Sequence, residues 1–189
     1  MSINSLYGNF RDYVTMKDAE QLRDLIAQVD WFLSERGIRA APRLAQKHVT
    51  NVDASGAEGQ LIAGLSAEQD GLCWRGHFPA NRFGAAVDEN SAFMEIVGSQ
   101  GHFDSREFGG GFLLLGPGLA VPKHKYSSDL IFIPLNDGSE WTLGNQSAPI
   151  KFGGDVFAVE SYDTISIETK SNPVIVLVLW REGEFVAEM

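Results

Sequence analysis

Apolar residues recur at helical spacing early in this chain and at strand spacing through most of the rest. Leu22, Leu25, Ile26, Val29, Phe32 and Leu33 fall three and four positions apart, which predicts one amphipathic helix over Thr15–Arg36. Thr15 and Asp18 form a capping-box pattern at its start, and Gly37 is placed to end it. Residues 38–60 carry little periodicity and read as a connector with a short helix near Arg43–His48, His48 being a solvated loop residue. From Leu61 onward the pattern changes to short apolar or alternating runs: Gly71–Trp74, Phe93–Val97, Phe112–Leu115, Leu130–Leu135, Glu140–Leu143, Val156–Val159, Thr164–Ile167 and Val174–Trp180. Gly, Pro, Asn and Asp separate them, as in an all-β sandwich or barrel. The expected organisation is a helical extension and connector over 1–60 and a barrel domain over 61–189.

Turn chemistry sharpens this outline. Asp137-Gly138 suits a tight hairpin between the runs ending at Leu135 and starting at Ser139. Gly153, Gly154 and Asp155 lead into another strand. The glycines at 109–111, and Gly116 and Gly118 around Pro117, lack the helix and Gly-Lys-Ser/Thr ending of a phosphate loop and read as turns. Val174–Trp180 is apolar at both parities, so it needs cover on two faces. With the amphipathic stretch also seeking cover, a homodimer is expected.

Composition then narrows the partners. Fifteen basic against 25 acidic residues give a net charge of -10, which repels phosphate backbones and anionic lipid. Nucleic-acid and membrane partners are therefore not expected, whereas a small neutral, zwitterionic or cationic molecule is compatible. The single cysteine, Cys73, excludes an intramolecular disulfide and, between Leu72 and Trp74, reads as a buried structural thiol. Residues 1–13 lack the apolar core of a signal peptide, and Val174–Trp180 is too short to span a bilayer. The expectation is a cytoplasmic protein.

Candidate chemistry gathers in the stretch Gly118 to Phe132. On a regular strand His124, Tyr126, Leu130 and Phe132 share one face, opposite Lys125, Asp129 and Ile131. A glycine, five residues and a histidine entering an apolar strand resembles the opening of the first cupin motif. Other pieces, in order, extend the resemblance to the cupin-type dimethylsulfoniopropionate (DMSP) lyases: Phe93–Gly98, Gly111–Gly118, Pro122–His124, Glu140-Trp141, Gly154–Val156 and Leu179–Arg181. The resemblance implies a cupin double-stranded β-helix, a jelly-roll barrel, with an N-terminal helical extension. It also implies a divalent metal (iron, zinc, manganese or nickel) inside the barrel, and a tyrosine base that drives elimination to dimethyl sulfide and acrylate.

Carried over residue by residue, that site is depleted. His124 takes the first ligand position, but Tyr126 stands at the second, Leu130 at the glutamate and Ile165 at the last histidine, while Phe132 replaces the catalytic tyrosine. Leucine and isoleucine offer no donor, and phenylalanine is no base. A compensating set could draw on His124, Tyr126, Asp129, Glu160 or Asp163, although Asp129 has the wrong parity. His124 and Tyr126 form either a ligand-binding pair or a structural couple. Trp141, Tyr162 and Trp180 either line a pocket, where aromatic faces attract sulfonium or ammonium ions, or fill the barrel. His77 and His102 read as loop residues. The preferred reading is a metal-depleted, lyase-like cupin, either a small-molecule binder or a divergent lyase-like enzyme without the ancestral metal chemistry, with no cofactor and a divalent metal expected only if the lyase alternative holds. The alternatives are a working DMSP lyase with Tyr126 as base beside His124, and a structural cupin with a filled interior.

Overall fold

The computed structural model describes residues 2–144, 146–181 and 183–189, with residues 146–150 as backbone alone. Helix α1 spans Ile3–Met16 and starts where the Ser2 hydroxyl accepts the Ser5 amide. It turns Leu6, Phe10 and Val14 inward at four-residue spacing. Burying those three side chains contributes roughly 5 kcal/mol at the usual transfer values. The chain turns at Lys17, whose ammonium is drawn 2.8 Å from Glu58 Oε1 while the Tyr13 hydroxyl donates to the same oxygen at 2.7 Å.

The helix expected over Thr15–Arg36 is not formed as one element. Within it only Thr15 and Met16, which end α1, and α2, Glu20–Ile26, are helical. Residues beyond run irregularly because other partners take their backbone groups. The Trp31 carbonyl accepts the Tyr7 hydroxyl, the Arg36 amide donates to the His102 carbonyl, and Glu35 bridges Phe103. Leu25, Ile26, Val29 and Leu33 still pack on the core, but Phe32 is 97% exposed. A 3₁₀ segment over Leu44–Asn51 matches the expected short helix. His48 there is half-buried, not solvated. Helix α3, Gly56–Glu68, crosses the expected boundary at 60/61, and short helices α4 (Ala80–Phe83) and α5 (Ala85–Glu89) precede the sheets.

Ten strands follow. They are β1 (Ser91–Gly98), β2 (Phe103–Asp104), β3 (Phe108–Leu115), β4 (Ala120–His124), β5 (Leu130–Pro134), β6 (Ser139–Leu143), β7 (Gln146–Lys151), β8 (Phe157–Val159), β9 (Ile165–Thr169) and β10 (Val174–Arg181). They form a six-stranded sheet ordered β2-β1-β3-β10-β5-β8 and a four-stranded sheet ordered β4-β9-β6-β7. The all-β barrel with N-terminal helices is thus present. Gly71–Trp74 is not one of its strands; Cys73, half-buried, makes only a bridge to Ala41.

The two faces of β10 explain its apolar run. Ile175, Leu177 and Leu179 face a core shared with α1, α2 and α3, while Val174, Val176, Val178 and Trp180 face the barrel interior. Both faces, and most of the amphipathic stretch, are covered within one chain, which removes the reason given above for a homodimer.

Two turn expectations are corrected. Asn136–Gly138 joins strands of different sheets, so it is a corner and not a hairpin, with Gly138 at φ 110°. The Asn136 amide holds that corner, donating to the Pro173 carbonyl at 2.9 Å and accepting the Ile175 amide at 3.0 Å. The glycines at 109–111 are not a turn but the middle of β3. A Cβ at Gly109 would meet Trp180 Cε2 at 2.0 Å, and one at Gly110 would meet Phe10 Cζ at 2.7 Å. Glycine there lets rings lie directly on the strand from both sides.

Candidate functional site

The barrel interior is built by short elements from both sheets. His124 ends β4 and pairs with Ile165 of β9. The loop after it carries Tyr126, and β5 then contributes Leu130 and Phe132. All five side chains are buried, and Tyr126, Leu130, Phe132 and Ile165 belong to the apolar cluster of the barrel interior. Trp141, Trp180 and Phe157 close the same interior.

Sequence reasoning missed His77. The backbones of Arg75 and Phe93 exchange two hydrogen bonds of 2.8 and 2.9 Å, which fix the preceding segment beside β1. At Gly76 a Cβ would crowd the Arg43–Asp88 ion pair at 3.1 Å. His77 then enters the barrel rather than solvent. Its only signal was the neighbouring Phe78, because no motif spacing reaches back that far. His102 is also buried, its Nε2 accepting the Cys73 amide at 3.2 Å, and lies outside this cluster.

Two imidazoles converge on one phenol. His77 Nε2 lies 3.0 Å and His124 Nε2 3.1 Å from the Tyr126 hydroxyl, and His124 Nδ1 lies 2.8 Å from the Pro122 carbonyl. A carbonyl only accepts, so His124 Nδ1 carries the proton and its Nε2 is bare. Tyr126 therefore donates to His124 Nε2, and its oxygen accepts from His77 Nε2–H. Burial lowers His124 to about 4 and lowers His77 well below its ordinary value, with repulsion from His124 adding to the effect on His77. Both are neutral near pH 7. Burial raises the Tyr126 hydroxyl well above its ordinary range.

These shifts have a pH consequence. His124 is depressed below its unfolded value near 6.5, so the unfolded chain binds the extra proton and stability falls as pH falls. The contribution is complete above about pH 6.5 and is lost on the way down to about 4, some 3 kcal/mol at 1.4 kcal/mol per unit. Urea unfolding from pH 7.5 to 4.5 should show this loss, and His124→Gln should reduce it, leaving the part due to the buried His77. An unchanged slope in that variant would count against the assignment.

The expected metal does not suit these residues. Of the ligand positions only His124 keeps a strong donor, and its Nε2 is committed to Tyr126. The remaining ligand positions are Tyr126, Leu130 and Ile165, with Phe132 at the position of the catalytic tyrosine, and the surrounding walls are Phe78, Phe83 and Phe185. Two neutral imidazoles and a protonated phenol bring no negative charge to balance a divalent ion in an apolar cage. Among the described residues no group of three or more His, Cys, Asp or Glu is gathered to hold an ion.

Tyr162 does not join the cluster. Its amide donates to the Tyr126 carbonyl at 2.7 Å with φ 66°, and this left-handed turn swings the ring outward, 61% exposed, under the Lys125 ammonium. Asp129 accepts the Ser161 amide at 2.7 Å, and it, Glu160 and Asp163 are also outside, so the compensating ligand set is not assembled. Glu140 pairs with Lys170 at 2.8 Å. A larger surface cavity of about 780 Å³, lined by Asp53, Glu58, Asp137 and Asn172 among others, shares no residue with the barrel cluster.

No helix of the described residues is long and apolar enough to cross a membrane. No curated protein sequence matches the chain. Among solved structures, a chain from the crystal structures of the DMSP lyases RdDddP and RnDddQII superposes with a TM-score of 0.87 at 20% identity, covering 96% of this chain and 92% of that one. DMSP lyase DddQ from Ruegeria pomeroyi DSS-3 gives 0.85 at 18% identity, covering 95% and 90%. At these identities the likeness establishes the cupin-like fold. The family model for dimethylsulfoniopropionate lyase matches residues 43–176, a span from the 3₁₀ segment through the barrel to the start of β10, and by that match the chain belongs to the DMSP lyase family.

Proposed function

We propose that this family member binds a small neutral, zwitterionic or cationic molecule in its barrel without the divalent-metal chemistry that the family resemblance implies. One observation carries this reading: the Tyr126 hydroxyl is held between two neutral imidazoles in an apolar cage. A tyrosine that acts as base must first lose its proton. Here the available acceptor, His124, is lowered to about 4, burial raises the phenol well above 10, and among the described residues no neighbouring cation offsets the phenolate. Tyr126 is therefore a donor that fixes the cluster. Trp180, which lines a small cavity beside His77 and Phe185, supplies a face that suits a sulfonium or quaternary ammonium group.

The test is an assay of DMSP, with and without added iron, zinc, manganese or nickel. No dimethyl sulfide above the uncatalysed rate is expected, and protein purified without added metal should hold far less than one equivalent. Titration with DMSP and with its ammonium analogue glycine betaine should give a saturable change in tryptophan fluorescence. Dimethyl sulfide release that disappears in Tyr126→Phe would overturn the reading in favour of a working lyase. An absence of any saturable binding would favour a filled structural barrel, a view supported by Phe185 packed against Tyr126 and Phe132.

A further inference from the structure

After β10 the chain turns at Gly183, at φ 76°, and runs back across the barrel mouth. Phe185 and Ala187 point in and are buried, while Val186 and Met189 point out. Among the described residues, the backbone of 184–189 is tied to the barrel by two hydrogen bonds, from Lys125 N to Glu188 O at 2.8 Å and from Glu188 N to Lys125 O at 2.9 Å. The segment is otherwise without regular structure. Few backbone ties and an exposed outer edge are the features of a unit that opens well before the whole fold does.

The ring that this segment inserts is seated in an unusual way. His77 and Tyr126 are hydrogen-bonded edge to edge with their planes 17° apart, so they form one flat platform. Phe185 lies flat on both rings, 4.0 Å and 12° from His77, and 4.9 Å and 13° from Tyr126. Trp180, at 5.6 Å and 25°, adds a nearly parallel wall, and Phe93 tilts against its edge at 4.8 Å. Beside it a cavity of about 150 Å³ leads outward past Arg75 and Glu95. Removing Phe185 would join that cavity to a slot with the shape and stacking faces for one planar ring. A puckered or tetrahedral group would lose the stacking on both platform rings.

We propose that the slot filled by Phe185 is a binding site for a ligand with a flat aromatic ring, and that residues 184–189 are a strap that must release to admit it. This rests on the metal-free binding reading above, takes its neutral-ligand branch in place of the sulfonium or ammonium one, and adds the ring shape and the control of access. The strap acts as an intramolecular competitor, so affinity for the ligand is reduced by the fraction of time the slot is open. Arg75 and Glu95 at the mouth are placed to meet a polar substituent on the ring.

Phenol and cyclohexanol, which differ in having a flat or a puckered ring, serve as probes in calorimetric titrations of the full chain. The parent should bind phenol weakly, and Phe185→Ala should bind it at least tenfold more tightly with no equal gain for cyclohexanol. Phe185→Leu keeps much of the volume without the plane, and covers the case in which the alanine variant does not fold. The strap is tested by Lys125→Cys with Glu188→Cys in a Cys73→Ser background. A bridged antiparallel pair places the two Cα atoms about 5.5 Å apart, within disulfide reach. Oxidation should weaken phenol binding at least tenfold, and reduction should restore it. No measurable phenol binding by the reduced protein, equal binding of cyclohexanol, or equal affinity before and after oxidation would overturn the proposal. Saturable binding of DMSP alongside any of these results would leave the metal-free binding reading standing, whereas metal-dependent release of dimethyl sulfide would sink that reading without touching the phenol result.

Discussion

Gly111→Ala is expected to destabilise the protein by about 3 kcal/mol or more, lowering the melting temperature by roughly 10 °C. The position lies in the middle of β3, between β1 and β10, opposite Glu95 and Val178. A bulge between Glu95 and Val97 disturbs the β1 register there. A Cβ on Gly111 would come within 2.3 Å of the Met94 carbonyl oxygen and 2.7 Å of Phe93 Cζ. The ring could shift, but the carbonyl is backbone in a paired strand, so relief requires opening the β1–β3 ladder. Gly37→Ala is the control, because nothing lies within 4 Å of its Cβ position. Calorimetry of the two variants decides the matter. A melting temperature within two degrees of the parent for Gly111→Ala would mean that β1 and β3 are not packed as described.

Leu130→Glu should be at least as damaging, by about 3–5 kcal/mol, because it places a carboxylate without a partner in the barrel interior. Leu130 opens β5 between Val159 and Trp180 and is buried among apolar side chains. The carboxyl must either stay protonated far above its usual range or open the barrel to water. The loss should be partly recoverable. With Tyr126→His and Ile165→His added and His124 kept, three imidazoles and a carboxylate would face one another across β4, β5 and β9, since Ile165 already pairs with His124. Zinc or nickel at a thousand times its dissociation constant would stabilise such a folded state by about 4 kcal/mol. Thermal melts of the triple variant should therefore rise with added metal, and those of the parent should not. A folded triple variant with no metal-dependent shift would show that these positions do not converge.

How much of this could be read from residues alone differed from element to element. The alternation of short apolar runs with Gly, Pro, Asn and Asp was enough for an all-β barrel, although it was read from Leu61 onward and the strands start only at Ser91. Parity put Leu130 and Phe132 on one face of β5, because a strand's period of two is a local property, whereas Tyr126 is buried beside His124 from the intervening loop. The two-sided apolar character of β10 likewise announced that both its faces are covered. The N-terminal helix was legible too, in Leu6, Phe10 and Val14 after Ser2, but the stronger stripe further on obscured it. Its residues do meet the core, yet the backbone there bonds to Tyr7 and His102 instead of to itself, and no local pattern encodes that choice.

The site was decided by contacts distant in sequence. Three of the substituted ligand positions follow from the spacing after Gly118 and Gly154. The second imidazole at Tyr126 comes from His77, 49 residues earlier, and the ring that covers the pair comes from Phe185. The turn-like glycines at 109–111 became strand because Trp180, Phe10 and Phe93 need their missing side chains as space. Asp137-Gly138 became a corner because β5 and β6 pair with β10 and β9 rather than with each other. Periodicity and turn propensity act over a few residues, so the sequence by itself determined which stretches would be strands and which faces would be apolar. Strand partners, imidazole tautomers and the occupant of the barrel depend on close packing between segments tens of residues apart, and only the tertiary structure decides those.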